Sequence, residues 1–499
     1  MKGTMMNRRT WLTLALAATT TTMMAAGIPD RPEKLPVKPL VYDAPNPADY
    51  RTVLKSGPVA YVVPDRELPL VNISILVRTG DYLDPKGKEG LASLTGYLLS
   101  KGGIGSKTAE ELDERLAFLA AHLNSGVSDS QGTVSLNLLS KDLDEGLQIL
   151  REILTEPKFQ DDKIALRKQQ LLQGMKQRND DSSGIEFRER RFLIYGDDFY
   201  LNQHPTADSI NSITQADLKE FHHKWFHPGN FIVAVNGDFD RAEMTAKLEK
   251  LFGDWPYKGE KPAAVPSNVT FAKPGIYLVD KDVNQGRVSL LLPGVFRDDP
   301  DYFAITVMND ILGGGGFTSR IVNRVRSDEG LAYSAGSGFP GGVYYRGAFL
   351  AVFQSKSGTV PYATSLVKEE LEKMATAPVT EEELNTSKRS YIDTFPQNFA
   401  TAAQVAGTFA SDELTGRYAK EPTYWKTFRD KVNAVTAEDV KRVAKKYLTT
   451  DKVAILVVGK KEDILKGHPN HAVKLTDLSK GPLIDVPLRD PLTMKPMTK

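Results

Sequence analysis

Short apolar runs and longer amphipathic segments follow one another along the chain. Apolar runs of four to eight residues predict β-strands, and apolar positions three or four residues apart predict helices. Because the runs cluster rather than alternate strictly with helices, we predict an α+β fold with mainly antiparallel sheets covered by helices. In the first half the predicted strands are Ala60–Val63, Val71–Val77, Thr133–Leu139 and Phe231–Val235. The predicted helices are Leu91–Leu99, Ala109–Ala120, Leu143–Leu154, Lys163–Gln177 and Ala216–Trp225.

The pattern occurs twice. The run 71–77 before Asp84-Pro85 resembles the run 287–292 before Asp299-Pro300, and 231–237 resembles 453–459. All of these matches keep their order at an offset of about 215 to 222 residues, which indicates a duplicated lobe.

Proline-rich stretches and the repeat predict the domain boundaries. The segment 256–274 contains four prolines with several lysines and is the natural linker between the lobes. The predicted divisions are a signal peptide at 1–27, an extended lead-in at 28–50, an N-terminal lobe at 51–255, the linker at 256–274, a C-terminal lobe at 275–465 and a tail at 466–499.

Composition narrows the possible functions. The chain has 499 residues with 64 Lys+Arg and 63 Asp+Glu, a balance that argues against a nucleic-acid binder. It has no cysteine, which excludes disulfides, thiol catalysis and cysteine-bound zinc. Residues 1–27 combine Arg8-Arg9, a short apolar run and Ala25-Ala26-Gly27, which predicts an export signal and a periplasmic protein. No later run is apolar enough for stable membrane insertion.

Several local phrases, in this order, resemble the insulinase/pitrilysin metallopeptidases. They are Gly90-Leu91-Ala92, Thr206–Ile213 ahead of Leu218–Asp238, Leu312–Arg320 and Arg326–Tyr333. The similarity extends over residues 50–465 and is greatest to the short two-lobed branch that includes the mitochondrial processing peptidase. It implies two homologous lobes that form half of a clamshell chamber.

The resemblance also implies where a zinc site would lie. The family carries His-x-x-Glu-His on a helix after a Gly-Leu-Ala-like phrase, with a third ligand on a later helix. Here the two histidines are replaced by Ser93 and Tyr97, the glutamate by Gly96, and the third ligand falls near Gln173 and Gly174. We therefore predict a degenerate zinc site, with no catalytic residue and no metal or other cofactor in this chain.

The resemblance gives the second lobe a different role. Arg326 and Tyr333 match a family pair that holds the substrate backbone at the zinc of the opposite lobe, so we predict that they bind substrate. From spacing alone, a surface ion pair of Arg326 and a core position of Tyr333 remain the alternative. The run Gly313, Gly314, Gly315 and Gly316 is a possible substrate loop or a simple turn before a helix.

The histidines offer no second site. His223 and His227 have the spacing of one helix face, but Pro228 follows directly and no acidic residue lies between them. A helix end with histidines near its C-terminal dipole is the simpler interpretation. A hydrolase with Ser93 as nucleophile has little support, since no histidine or acid is near it in sequence.

These observations lead to two hypotheses. In the first, the chain is the non-catalytic, substrate-binding subunit of a heterodimeric zinc endopeptidase that acts on peptides. Its partner, a homologous subunit with the intact zinc motif, would hold the zinc. In the second, it is a stand-alone peptide-binding or scaffold protein.

Overall fold

The computed structural model describes Arg31, Leu35 and residues 41–498. From Ala44 onward the chain forms one compact unit, to which all of the following belongs. The signal peptide predicted at 1–27 lies outside the described residues. The lead-in predicted up to residue 50 ends earlier than expected, because Pro47–Tyr50 forms a helical turn that Asn46 caps through the amide of Ala48.

The first sheet has six strands in the order β1-β2-β6-β3-β5-β4. All neighbours are antiparallel except β2 and β6, which are parallel. The strands are β1 (Arg51–Val53), β2 (Val59–Pro64), β3 (Leu70–Val77), β4 (His122–Val127), β5 (Gly132–Leu139) and β6 (Phe231–Gly237). Every second residue of β3 is buried, as expected for a strand with one face on the core.

The helices of this half begin after capping residues in several places, among them Thr108, Thr206 and Thr214, which form capping boxes. The helices are α1 (Pro47–Tyr50), α2 (Leu91–Lys101), α3 (Ala109–Phe118), α4 (Leu143–Thr155), α5 (Asp161–Lys176), α6 (Ser182–Tyr195), α7 (Ala207–Ser212), α8 (Gln215–Trp225) and α9 (Arg241–Phe252). Each strand and helix predicted for this half is confirmed, whereas β1, β4, α1, α6, α7 and α9 were not predicted.

The second sheet repeats this order as β12-β7-β11-β8-β10-β9. Its strands are β7 (Gly275–Asp280), β8 (Gln285–Pro293), β9 (Ala332–Gly338), β10 (Ala348–Lys356), β11 (Ala454–Gly459) and β12 (Leu483–Asp485). The edge strands β4 and β9 occupy corresponding positions in the two sheets. The α+β class and the two homologous lobes are thus confirmed. Residues 256–274, all of them described, form no helix or strand.

The helices of the second half are interrupted by two π-helical segments, Asp310–Gly314 and Asn323–Asp328. The α-helices are α10 (Tyr302–Asn309), α11 (Arg320–Val322), α12 (Val360–Thr376), α13 (Glu381–Thr394), α14 (Ala402–Leu414), α15 (Arg417–Lys420), α16 (Tyr424–Asn433), α17 (Ala437–Tyr447) and α18 (Lys461–Lys466).

The lobes exchange one helix each. Helix α6 of the first half packs on the second sheet, where Ile185 contacts Val279, Leu456 and Val458. The buried Glu186 accepts a hydrogen bond from the Ser289 hydroxyl. Helix α14 of the second half packs on the first sheet.

On that first sheet, the Phe409 ring of α14 lies 5.9 Å from the Tyr61 ring. Glu413 accepts hydrogen bonds of 2.9 Å from Arg51 and from the Tyr61 hydroxyl. Each sheet therefore has its own helices on one face and a helix of the other lobe on the opposite face.

The C-terminal segment also joins both lobes. Strand β12 pairs in parallel with β7 and takes the place that β1 has in the first sheet. Further on, Arg489 forms an ion pair with the buried Glu189, and Leu492 packs against the first core. The tail predicted from residue 466 is therefore not outside the lobes, because its apolar residues complete the second sheet and reach the first lobe.

Candidate functional site

The helix at the degenerate zinc positions, α2, begins at a tight turn. Gly90 has a left-handed conformation with φ of 101°, and Asp84 accepts hydrogen bonds of 2.7 Å from the amides of Gly90 and Ala92. Burial raises the pKa of Asp84 to about 7, although the two amides favour the charged form. The start of α2 is thus set by a buried carboxyl group.

Gly96, at the position of the catalytic glutamate, lies against the edge strand β4. A Cβ atom at Gly96 would lie 2.6 Å from the carbonyl carbon of Gly126 and closer still to the amide of Val127. The Ser125 hydroxyl donates a 2.6 Å hydrogen bond to the Gly96 carbonyl and accepts a 3.0 Å bond from the Ser100 amide. Only glycine fits where helix and strand approach this closely.

The other positions of the degenerate site do not converge on a metal. Ser93 is exposed, and the half-buried Tyr97 ring carries the Arg167 guanidinium 3.9 Å from its centroid. Gln173 and Gly174 are exposed on α5. The positive charge of Arg167 lies beside Tyr97, at the position of the second histidine, and strand backbone lies where the side chain of the base would be. These surroundings do not fit a zinc ion. Among the described residues no three His, Asp or Glu side chains come together to hold a metal.

In each lobe we call the place where a glycine of a helical segment packs on the edge strand the corner. The corner of the second lobe is built differently from that of the first. Helix α10 continues as the π-helical segment Asp310–Gly314, which brings the predicted glycine run to the edge strand β9. A Cβ atom at Gly313 would lie 2.6 Å from the Ser337 amide, so this glycine, like Gly96, allows close packing on an edge strand. Gly314 and Gly316 are exposed and Gly315 is half-buried.

The glycine run ends in a hydrogen-bonded turn. Gly316 has φ of 62°, and its carbonyl accepts hydrogen bonds from the Ser319 amide at 3.0 Å and the Ser319 hydroxyl at 2.6 Å. The buried Ser319 therefore fixes the turn that presents the Phe317 side chain, which is 66% exposed. No role was predicted for Phe317 from the sequence. Its position directly after four glycines was the one feature that could have pointed to an exposed side chain on a turn.

Arg326 and Tyr333 lie together beside Phe317. The Arg326 guanidinium carbon is 4.5 Å from the centroid of the Phe317 ring and 4.9 Å from that of Tyr333. Tyr333 is 86% exposed, which contradicts the alternative of a core position. Arg326 forms no ion pair with any described residue, unlike its neighbours: Arg320 pairs with Glu383 at 2.6 Å and Arg324 with Glu329 at 3.0 Å. We name Phe317, Arg326 and Tyr333 the aromatic–arginine cluster.

Strand β9 has one unpartnered edge beside this cluster. It pairs with β10 on one side only. On the other side the Asn309 amide reaches the Ser337 carbonyl at 3.3 Å. Apart from the pairing with β10, no hydrogen bond within the described part of the chain reaches the backbone of residues 333–336. The side chains along β9 are small except for Tyr333.

The three histidines near the end of α8 make packing and polar contacts within the fold. His222 is buried against Phe226, and burial lowers its pKa. His223 stacks on Tyr257 at 4.3 Å, and the His227 ring nitrogen Nε2 lies 2.9 Å from the Glu260 carbonyl. The histidines do not form a site with one another.

Fold and site together define a class: a two-lobed α+β protein with the architecture of a zinc peptidase, in which the described residues at the zinc positions do not fit the metal. Two family models match, described as "Insulinase (Peptidase family M16)" over residues 62–190 and "Peptidase M16 inactive domain" over residues 212–391. Together they cover more than half of the chain. The protein belongs to the insulinase family of peptidases, M16, and its sequence lacks the His-x-x-Glu-His motif of that family.

Relatives and solved structures agree with this assignment. An uncharacterized zinc protease of Rickettsia felis is 23% identical over 76% of this chain and 90% of its own length. The non-peptidase homolog YmxG of Helicobacter pylori is 26% identical over 68% of this chain and 78% of its own. The crystal structure of a peptidase M16 inactive domain from Pseudomonas fluorescens is 27% identical with a TM-score of 0.72, covering 82% of this chain and 97% of that one.

Proposed function

We propose that this chain is the substrate-binding subunit of a two-chain zinc endopeptidase. The observation that carries the proposal is the contrast between the lobes. The first-lobe site cannot accept the missing base. In the second lobe the half-buried Arg326 lies beside the exposed Tyr333 and has no ion partner within the described part of the chain. A homologous subunit with the intact motif would hold the zinc, which activates water for attack on the peptide bond.

In this proposal Arg326 and Tyr333 bind the peptide backbone in trans. The guanidinium offers forked N–H donors that suit a peptide carbonyl, and the aromatic rings beside it leave those donors available. The Tyr333 hydroxyl donates to the oxyanion that develops as the carbonyl is attacked. Both residues orient and stabilise; neither performs the proton transfer.

Peptides in extended conformation fit the unpartnered edge of β9. An extended segment can add to a sheet edge through main-chain hydrogen bonds, while side chains beside the edge select among sequences. The small side chains of β9 leave room for such a segment next to Arg326. This supports unfolded peptides as substrates, enclosed in a chamber that the two subunits form together.

The compartment belongs to the same proposal. We propose export to the periplasm, on the basis of the signal-like residues 1–27. Among the described residues, no helix combines the length and the hydrophobicity needed to cross a membrane.

The test is reconstitution with a homologous subunit that carries the zinc motif. We expect Arg326→Ala with Tyr333→Phe to lower the kcat for a quenched peptide by about 10²-fold or more, because stabilisation of the oxyanion is lost. The matched control is Arg167→Ala with Tyr97→Phe, which removes the arginine–tyrosine pair of the first lobe. Unchanged activity of the Arg326/Tyr333 variant would refute the role in trans.

A stand-alone peptide-binding or scaffold protein is the second candidate. The aromatic–arginine cluster and the β9 edge can bind a peptide without any metal, which favours it. A pull-down of the mature chain from its native extract separates the two: a stoichiometric partner with zinc and chelator-sensitive cleavage supports the subunit. No partner, no zinc and no cleavage supports the binding protein.

A further inference from the structure

We propose that Phe317 is a specificity-determining residue: its ring forms an apolar wall for the side chain next to the peptide carbonyl that Arg326 binds, and it positions the Arg326 guanidinium. The inference rests on the proposed peptide binding, and extends it to the class of peptide selected, one with an aromatic or large aliphatic residue at that position. It does not depend on proteolysis.

The turn that carries Phe317 is a defined structure. The Gly315 amide donates to the Asp310 carbonyl at 2.8 Å, and the Thr318 hydroxyl donates to the Gly315 carbonyl at 2.9 Å. With the bonds of the buried Ser319 to Gly316, these contacts hold the backbone on both sides of the phenyl ring. The ring is thus presented at a fixed place beside Arg326.

An exposed phenylalanine elsewhere in the chain shows what is specific to Phe317. Phe118 is 77% exposed and also lies under a guanidinium, that of Arg115, at 4.7 Å. Arg115, however, forms two hydrogen bonds of 2.5 and 2.6 Å to Glu145. Its donors are used, whereas those of Arg326 have no ion partner among the described residues. Of these two exposed phenylalanines, Phe317 alone lies beside a guanidinium that has no ion partner among the described residues.

The geometry then relates the ring to a bound peptide. Aromatic rings on the guanidinium leave the N–H groups at its edge as the donors for a peptide carbonyl. Successive side chains of an extended peptide are about 3.3 Å apart along the chain. A side chain adjacent to the bound carbonyl therefore comes within reach of the Phe317 ring, which lies 4.5 Å from the guanidinium carbon.

The experiment measures binding by the full-length mature chain. Short fluorescein-labelled peptides of alanine, serine and glycine, differing only in a central Phe, Leu or Ser, are titrated by fluorescence anisotropy. We expect the Phe and Leu peptides to bind about threefold to tenfold more tightly than the Ser peptide, as ring packing allows. Phe317→Ala should bring this ratio to about one, and Phe317→Leu should restore most of it.

Two further variants complete the design. Phe118→Ala should leave the affinities and their ratio unchanged. Arg326→Ala should weaken all peptides by the same factor, because it removes a backbone contact. The inference is overturned if wild type shows no preference, if Phe317→Ala weakens all peptides equally, or if no peptide binds. Loss of the Arg326 effect in the reconstituted peptidase with an intact Phe317 preference would refute only the role in trans.

Discussion

The corresponding corners of the two lobes place a glycine of a helical segment against an edge strand, and differ in everything around it. In the first lobe Gly96 packs on β4, α2 stays regular, and Arg167 covers Tyr97. In the second lobe Gly313 packs on β9, the helix widens into π-helical turns, and Arg326 lies between exposed rings. The first corner is filled by packing contacts, whereas the second has two exposed aromatic side chains beside an arginine.

This difference shows that the same fold can keep its structure with or without groups for a metal. In the first corner strand β4 packs against Gly96, and the Arg167 guanidinium lies on the Tyr97 ring. In the second corner the groups beside the edge strand are a guanidinium and a phenol, neither of which needs a metal. π-Helical turns occur frequently at functional sites, and here both lie within the segment that carries the cluster.

The largest expected effect comes from restoring the base. Gly96→Glu would force a side chain into the backbone of β4, and we expect a loss of about 3 kcal/mol or more in the free energy of unfolding, measured with urea. Ser93→His, at an exposed position of the same helix, should change it by about 0.5 kcal/mol or less. A stable Gly96→Glu protein would show that the first corner is still open to chemistry.

The next largest expected effect is on peptide binding, in which Arg326 of the second lobe is compared with Arg167 of the first. Arg326→Ala should weaken binding of an unfolded peptide about tenfold to a hundredfold, the usual worth of hydrogen bonds to a charged group. Arg167→Ala should not, since its guanidinium already donates to the Gln170 side chain at 3.3 Å and its Nε atom is buried. Isothermal titration on both variants tests this, with Arg326→Lys as the control for charge alone. Equal losses would mean that the first corner also binds.

The smallest expected effect is a different dependence of stability on pH in the two lobes. Because the pKa of Asp84 is raised to about 7, the folded protein holds this proton more tightly, and stability falls as pH rises from about 4 through about 7. Asp301 in the second lobe is also buried, which opposes ionisation, but hydrogen bonds from Lys446, Arg442 and Tyr447 lower its pKa to about 2. Its contribution is lost as pH falls below about 4 through about 2.

Hydrogen exchange resolved by lobe, at a series of pH values, measures this. Asp84→Asn should flatten the loss of protection in the first lobe near neutral pH, and Asp301→Asn should flatten the acid loss in the second. An identical pH response of both lobes in wild type would contradict the assignment.

The sequence predicts the elements of the fold well where pattern alone decides them. The buried alternation of 70–77 and the amphipathic run of α4 both carry a clear period, and the repeat predicts two matching sheets. The helix exchange between α6 and α14 is not predictable in this way. A helix with one apolar face shows that it is buried but not which sheet it covers.

The sequence also predicts only part of the candidate site, because the tertiary contacts of its residues carry no sequence period. The resemblance identified Ser93 and Tyr97 as replacements of the two histidines and Gly96 as the replacement of the glutamate. It could not predict that Arg167 would cover Tyr97. Arg326 and Tyr333 were found by resemblance, and only the structure shows that they lie in contact. Phe317 was missed because its exposure depends on a turn held by Ser319, a tertiary feature without a sequence period.

The exchanged helices also determine the order in which the chain can fold. Arg51 and Glu413, which join the first sheet to α14, are 362 residues apart in sequence. A chain synthesised only as far as the linker exposes the sheet face around Tyr61 that α14 later covers. Such distant contacts slow folding and leave apolar surface open to aggregation meanwhile. Neither lobe can be completed before nearly the whole chain has been synthesised, so its apolar surface stays exposed for longer than that of two independent domains.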